Sequence, residues 1–203
     1  MVETGDTALT GKTFVVLGAL SPHGAATVRA LAREGANLAL GGRSRERLEG
    51  LQEEARTSGA EAVVVGTHLA KRHHPAHLVE AAVEAFGGVD VLLYMASAGA
   101  PPLGSLDVEA WERSLEVNLR GLVYCLAAVL PAMREDGCVV VAGRKDDGHD
   151  PLLRASRAAV RALLDELSSG GVRTAEVGLE GLDPAEASRK TTGAVRGLIR
   201  PDG

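Results

Sequence analysis

The groups able to do chemistry in this chain gather at a few places. The first is the turn Gly18-Ala19-Leu20-Ser21-Pro22-His23-Gly24, which follows the apolar run Phe14-Val15-Val16-Leu17. A glycine-bearing turn between a strand and a helix lets a phosphate approach backbone N–H groups at the helix's positive end. Gly18 would make the sharp bend and Gly24 would let helix and strand pack closely, with Leu20, Ser21 and His23 around the phosphate. Pro22 occupies the middle of the turn and has no N–H to offer. The second place is the set His149, Lys145 and Tyr94, at predicted C-terminal strand ends or the loops beyond them, where sites in open α/β sheets form. His149 has the best intrinsic pKa for proton transfer, and it also reads as an ordinary polar loop residue. The third is His68, Lys71, Arg72, His73, His74 and His77. His73 and His77 have the spacing of two metal ligands on one helix face. However, Pro75 is predicted to begin the helix, so His73 would precede it. No cysteine or carboxylate completes a set, so a polar loop and cap is the simpler reading and no metal is expected.

Elements that could position these groups alternate along the whole chain. Strand-like runs occur at 14–17, 37–40, 62–65, 89–95, 138–142 and 172–177, with a seventh expected at 195–200. Helices are predicted between them, at 22–34, from Ser44 to about 58, at 75–86, 107–133 and 153–167. Ser21 serves as an N-cap with Pro22 at the first helical position. Gly35, Gly87-Gly88 and Gly170-Gly171 close helices. Strand–helix alternation of this kind specifies an α/β fold, a parallel sheet of about seven strands covered by helices on both faces. Asn118, in the middle of the long helix, competes for backbone hydrogen bonds and marks a kink.

Composition limits the partners. The chain has 203 residues, enough for one domain, with no repeat or linker. Hydrophobic residues are 45% and charged residues 24%, as in an ordinary globular protein. Aromatics are 2%, so the core must be aliphatic. A net charge of −5 with no basic block beyond Lys71-Arg72 argues against nucleic acid. No uninterrupted apolar run reaches the ~18 residues of a membrane span, and residues 1–12 show no signal peptide. A cytoplasmic location is expected, with Cys125 and Cys138 as reduced core thiols.

Several segments together resemble the short-chain dehydrogenase/reductase family. Gly18 to Gly24 followed by Ala30-Leu31-Ala32-Arg33-Glu34-Gly35-Ala36 is similar to its first turn and helix. Phe86-Gly87-Gly88-Val89-Asp90-Val91-Leu92, Trp111 to Gly121, Leu153 to Val160, and Thr192-Gly193 through Asp202-Gly203 are similar to its later motifs. The resemblance spans nearly all of residues 1–203 and implies a single Rossmann-type domain with a nicotinamide cofactor. Leu40-Gly41-Gly42-Arg43 has no acidic residue for a ribose 2′-hydroxyl, and Arg43 can pair with a 2′-phosphate. NADP(H) is therefore favoured, although Arg43 also reads as a solvated residue ahead of a helix. His68 stands at the family's acidic position near the adenine, and Ala96 in the loop after the fourth strand.

The family's catalysis uses a tyrosine, a lysine, a serine and an asparagine. The resemblance places Leu153 at the tyrosine, Arg157 at the lysine, no serine in 141–149, and Asn118 at the asparagine. A nonpolar side chain supplies none of the roughly 10²–10⁴-fold of general acid catalysis, and arginine does not deprotonate as lysine can. The lid between the last two strands, here reduced to 178–191, is largely missing. Two functions remain open beside a plain dimerising protein without ligand. One is a non-catalytic binding or scaffold subunit with at most weak NADP(H) binding. The other is an NADP(H)-dependent oxidoreductase acting on a carbonyl or alcohol with a rearranged donor such as His149. The resemblance also implies a homodimer or homotetramer, or pairing with an active relative, through the helices from Asp107 and Leu153. Ala155, Ala158, Ala159 and Ala162 would allow close packing there.

Overall fold

The computed structural model describes residues 9–99, 107–143 and 150–199. Lys145 and His149 lie outside them. Six parallel strands form one sheet: β1 (Thr13–Leu17), β2 (Asn37–Gly42), β3 (Ala62–Gly66), β4 (Val89–Tyr94), β5 (Met133–Gly143) and β6 (Arg173–Gly178). Their order is β3-β2-β1-β4-β5-β6. Helices α1 (Pro22–Arg33), α2 (Arg45–Thr57), α3 (His73–Phe86), α4 (Val108–Leu115), α5 (Gly121–Val129), α6 (Pro151–Ser169) and α7 (Pro184–Leu198) complete the described chain.

The pleat sorts the aliphatic residues onto two faces. Phe14, Val16, Leu38, Leu40, Val91, Leu93 and Val140 meet α1, α2 and α7 through Val28, Leu31, Leu48, Ala187 and Val195. Val15, Leu17, Leu92, Val139 and Val141 meet α3, α5 and α6 through Leu78, Leu122, Leu126, Val160 and Leu164. This two-sided burial explains the unbroken apolar strands and the near absence of aromatics. The segment Val108–Ala132 is apolar and long enough to cross a membrane by length and composition alone. Its Leu122, Cys125 and Val129 are instead buried in the second core.

Four expectations need correction. The seventh strand at 195–200 is absent among the described residues, because 195–198 continue α7. Asp183 and Glu186 form a capping box, Pro184 takes the first position, and Ala187, Ser188, Thr191, Thr192 and Val195 bury at helical spacing. A short apolar run such as Val195–Ile199 cannot show its period unaided. The interval 178–191, read as a reduced lid, thus holds the start of a 15-residue helix. Helix α3 begins at His73 rather than Pro75, which still lies in the first turn where its missing N–H costs nothing. Finally, β5 begins at Met133 rather than Cys138, with a register irregularity opposite Val89/Val91.

Candidate functional site

The strand order reverses between β1 and β4, so the crevice beyond their C-terminal ends is the natural ligand position. Gly18 leaves β1 at φ +83°. A Cβ there would stand 2.6 Å from Met95 C and Ala96 N, so glycine is what lets the turn rest against the loop after β4. A Cβ at Gly24 would collide with the Gly18 carbonyl oxygen and Ser21 Oγ. Ser21 caps α1, its Oγ accepting from Gly24 N at 3.0 Å, and Pro22 takes the first helical position. Among the described residues no hydrogen bond uses the N–H of Leu20 or His23. These are the donors a phosphate would meet at the N-terminus of α1.

The His23 side chain is directed elsewhere. Its Nε2 lies 3.1 Å from Leu182 O, tying α1 to the segment between β6 and α7. Arg43 is exposed just past β2 and makes no ion pair among the described residues. Arg47, which the sequence reading did not single out, brings Nη2 to 3.4 Å from Leu20 O. Arg43 and Arg47 therefore both lie where the chain passes from β2 into α2, with Arg47 reaching the turn at Leu20. The signal was available: an arginine in the first turn of a helix opposes the macrodipole and needs another reason to be there. The residues present fit the phosphate-bearing half of a dinucleotide.

The other half of the crevice differs. Asn118 sits in a π-helical turn, Glu116–Arg120, between α4 and α5, so the predicted kink is present. Its Oδ1 accepts from Ala98 N at 2.8 Å, and its Nδ2 donates to Ala98 O at 2.7 Å and Ser114 Oγ at 2.9 Å. Both amide hydrogens are used, one on the loop after β4 and one on Ser114 of α4, which ties loop and helix together. Leu153 is buried on α6, and Asp150 caps that helix by accepting from Leu153 N. Arg157 Nη2 lies 2.6 Å from Glu176 Oε1 on β6, and Arg161 Nη2 lies 3.0 Å from Glu176 Oε2. Arg157 and Glu176 are 14% and 15% exposed, an almost enclosed ion pair where the family's lysine would stand.

Glu176 was missed in the sequence, although two arginines four apart on one helix face announce a shared acidic partner. Ser156, one turn beyond Leu153, is buried with no hydrogen-bond partner for its hydroxyl. Tyr94, Asn118, Leu153, Ser156, Arg157 and Glu176 line a cavity of about 30 Å³. That is room for a water. Ala96 lines the same cavity. Tyr94 ends β4 as predicted, but it is fully buried and its hydroxyl donates to Val117 O. Burial pushes its pKa well above the ordinary tyrosine value, with the Cys125 thiol adding to the shift, so Tyr94 is no substitute proton donor.

Burial likewise raises Cys125, and raises Cys138 to about 11, leaving two inert core thiols. His73 and His77 do share a helix face, their rings 5.5 Å apart. Among the described residues no group of three or more His, Cys, Asp or Glu is placed to hold a metal ion. His68 is engaged locally, its backbone N–H donating to His74 Nδ1 at 3.0 Å.

Comparison with known proteins gives a consistent set of similarities. A short chain dehydrogenase family model matches residues 12–188. A glycine betaine reductase from Emericella nidulans is 40% identical over 168 residues, covering 78% of this chain and 13% of the fungal protein. An uncharacterized oxidoreductase from Listeria innocua is 34% identical over 163 residues, covering 77% of this chain and 66% of its own. The chain thus spans less than two thirds of either relative. An alcohol dehydrogenase from the archaeon Thermococcus sibiricus, solved with 5-hydroxy-NADP, is 28% identical. It superposes with a TM-score of 0.82 over 95% of this chain and 92% of its own.

Proposed function

Because this chain belongs to the short chain dehydrogenase family, we propose that it is a non-catalytic member whose nucleotide turn outlasts its chemistry. The observation that carries the reading is the closed ion pair of Arg157 with Glu176 beside Leu153, around a cavity of about 30 Å³. A carbonyl substrate needs a pocket of about 300 Å³ or more, and a proton donor at its oxygen. Leu153 offers no proton, and the charge of Arg157 is neutralised by a carboxylate at 2.6 Å.

NADP(H) is the cofactor that the turn side favours. The N–H groups of Leu20 and His23 would hold the pyrophosphate, Gly18 and Gly24 keep the turn in shape, and Arg43 with Arg47 would face the 2′-phosphate. When bound, the nicotinamide supplies or accepts a hydride. The residues of this chain would bind and orient it, with no side chain among those described to relay the accompanying proton. Binding is expected to be weak, since Pro22 withholds one donor.

The partner is a second copy of the chain or an active relative. Val108, Leu115 and Val123 are exposed on α4 and α5, at 64%, 39% and 41%, and would be covered in such a pair. Light scattering on the purified protein tests the homo-oligomer, and a monomer at micromolar concentration would refute it and leave an active relative as the partner.

The functional test is a titration of nucleotide-stripped protein with NADPH and NADH by calorimetry, followed by turnover on a carbonyl panel. The panel includes glycine betaine, for which the fungal relative is named. NADPH binding without turnover is the expected result. Turnover abolished by His149→Ala would instead favour an NADP(H)-dependent oxidoreductase with a rearranged proton donor. Such a reading draws support from the Thermococcus sibiricus dehydrogenase's likeness.

A further inference from the structure

Helices α1 and α7 run side by side in the same direction. His23 meets Leu182, Ser188 Oγ donates to Ala26 O at 3.2 Å, and Arg196 grips Glu34 through two bonds of 2.6 and 3.1 Å. Between them lies a groove of about 610 Å³. Its floor is made of small side chains, Ala26, Ala30, Ala185 and Ser188, and its walls are arginines. Arg29 and Arg33 rise from α1, Arg189 and Arg196 from α7, against the single carboxylate of Glu34.

Those four arginines are of two kinds. Arg29 is paired with Glu54 at 2.6 Å and Arg196 with Glu34 at 2.6 Å. Arg33 and Arg189 make no ion pair or side-chain hydrogen bond among the described residues. The chain carries 27 acidic residues against 22 lysines and arginines. Composition therefore does not force two guanidiniums to share one concavity without a carboxylate each. Arg33 has one local reason to be where it is, the negative C-terminal end of α1. Arg189 lies in the interior of α7 and has none. The floor is inert, because Ser188 Oγ is satisfied by Ala26 O and Thr192 Oγ1 by Ser188 O at 3.0 Å. What the groove leaves unsatisfied is positive charge, in forks suited to bidentate oxyanions.

We propose that the groove between α1 and α7 binds a small polyanion, a molecule with two or more phosphate or carboxylate groups that bridges Arg33 and Arg189. The size of the groove falls within the range of small-molecule pockets, about 300–1,000 Å³. Its lining, residues 26–34 and 184–196, does not include the turn 18–24. The inference is independent of whether the turn binds a nucleotide.

Inorganic pyrophosphate and citrate are the probes, titrated into uniformly ¹⁵N-labelled protein. Arginine Nε resonances report location and calorimetry reports affinity. Saturable binding is expected, with the Arg33 and Arg189 Nε signals shifting, and weakening as sodium chloride screens the charges. The tighter of the two probes identifies phosphate or carboxylate as the favoured group. Arg33→Ala/Arg189→Ala should weaken binding at least tenfold, while Arg45→Ala, outside the groove, leaves it unchanged. Both arginines are exposed, so the double variant is expected to keep its thermal midpoint. The proposal is overturned if neither probe saturates at millimolar concentration. It is equally overturned if binding survives the double variant, or if the shifts fall on 18–24 instead.

Discussion

Removing the carboxylate of Glu176 should destabilise the protein far more than the loss of an ordinary surface pair. In a dry interior, deleting one partner of an ion pair costs about 3–5 kcal/mol, whereas exposed pairs contribute about 0–1 kcal/mol. Arg157 and Glu176 are 14% and 15% exposed, which places them nearer the first case. Glu176→Ala removes the carboxylate that faces both Arg157 and Arg161, and about 2–3 kcal/mol is expected. For a chain of this length that corresponds to a fall of roughly 5–10 °C in Tm. Arg161→Ala should cost less than about 0.5 kcal/mol, because that arginine is 66% exposed. The double replacement Arg157→Met/Glu176→Leu should recover most of the loss, to within about 1 kcal/mol of the parent. Urea denaturation followed by circular dichroism gives all four free energies. A Glu176→Ala loss below about 0.5 kcal/mol, or a double variant no more stable than Glu176→Ala, would refute the buried-pair account.

Three further outcomes follow from the geometry. Gly18→Ala should cost about 3 kcal/mol or more in the same assay, since it combines a positive φ with a backbone collision against Met95 and Ala96. Asn118→Ala, which strands the Ala98 N–H and leaves Ser114 Oγ as the donor to Ala98 O, should cost about 1–3 kcal/mol, and Asn118→Asp should not restore both bonds. His74 is held below the ordinary histidine value, first by burial and then by His73, His68, His77 and Lys71. A depressed histidine favours its neutral form in the folded state. Its contribution is therefore present above the ordinary histidine value and is lost as pH falls through the lower folded value. The denaturation midpoint should fall as pH drops below the ordinary histidine range, and the fall should shrink in His74→Asn.

What the sequence made legible was whatever is encoded locally. Ser21 and Ser44 announce helix starts because caps act within three residues. The apolar runs of β1, β4 and β5 announce a sheet covered on both faces. Val195–Ile199 was misread because a short apolar run has the same appearance in a strand and in the last turn of a helix, and only contact with α1 decides. Asn118 was legible as a kink, while the use of its amide on Ala98 depends on a loop twenty residues away. Glu176 and Arg157 lie nineteen residues apart in different elements, and only the β5–β6 register sets the carboxylate beside α6. The sequence therefore named positions, and the partners that surround them come only from the fold.

The contact between Gly18 and the loop after β4 bears on how the molecule is assembled. The most recognisable motif in the chain occupies seven residues, yet its bend is shaped by backbone at Met95 and Ala96, nearly eighty residues later. Closing so long a loop carries an entropic cost that must be met before the contact can form. The turn should therefore reach its final shape only after β4 has taken its place beside β1. A piece of the chain ending at Phe86 would keep the motif's letters without its geometry. During folding, the phosphate-facing N–H groups at the start of α1 become a docking point only once the middle of the sheet has closed.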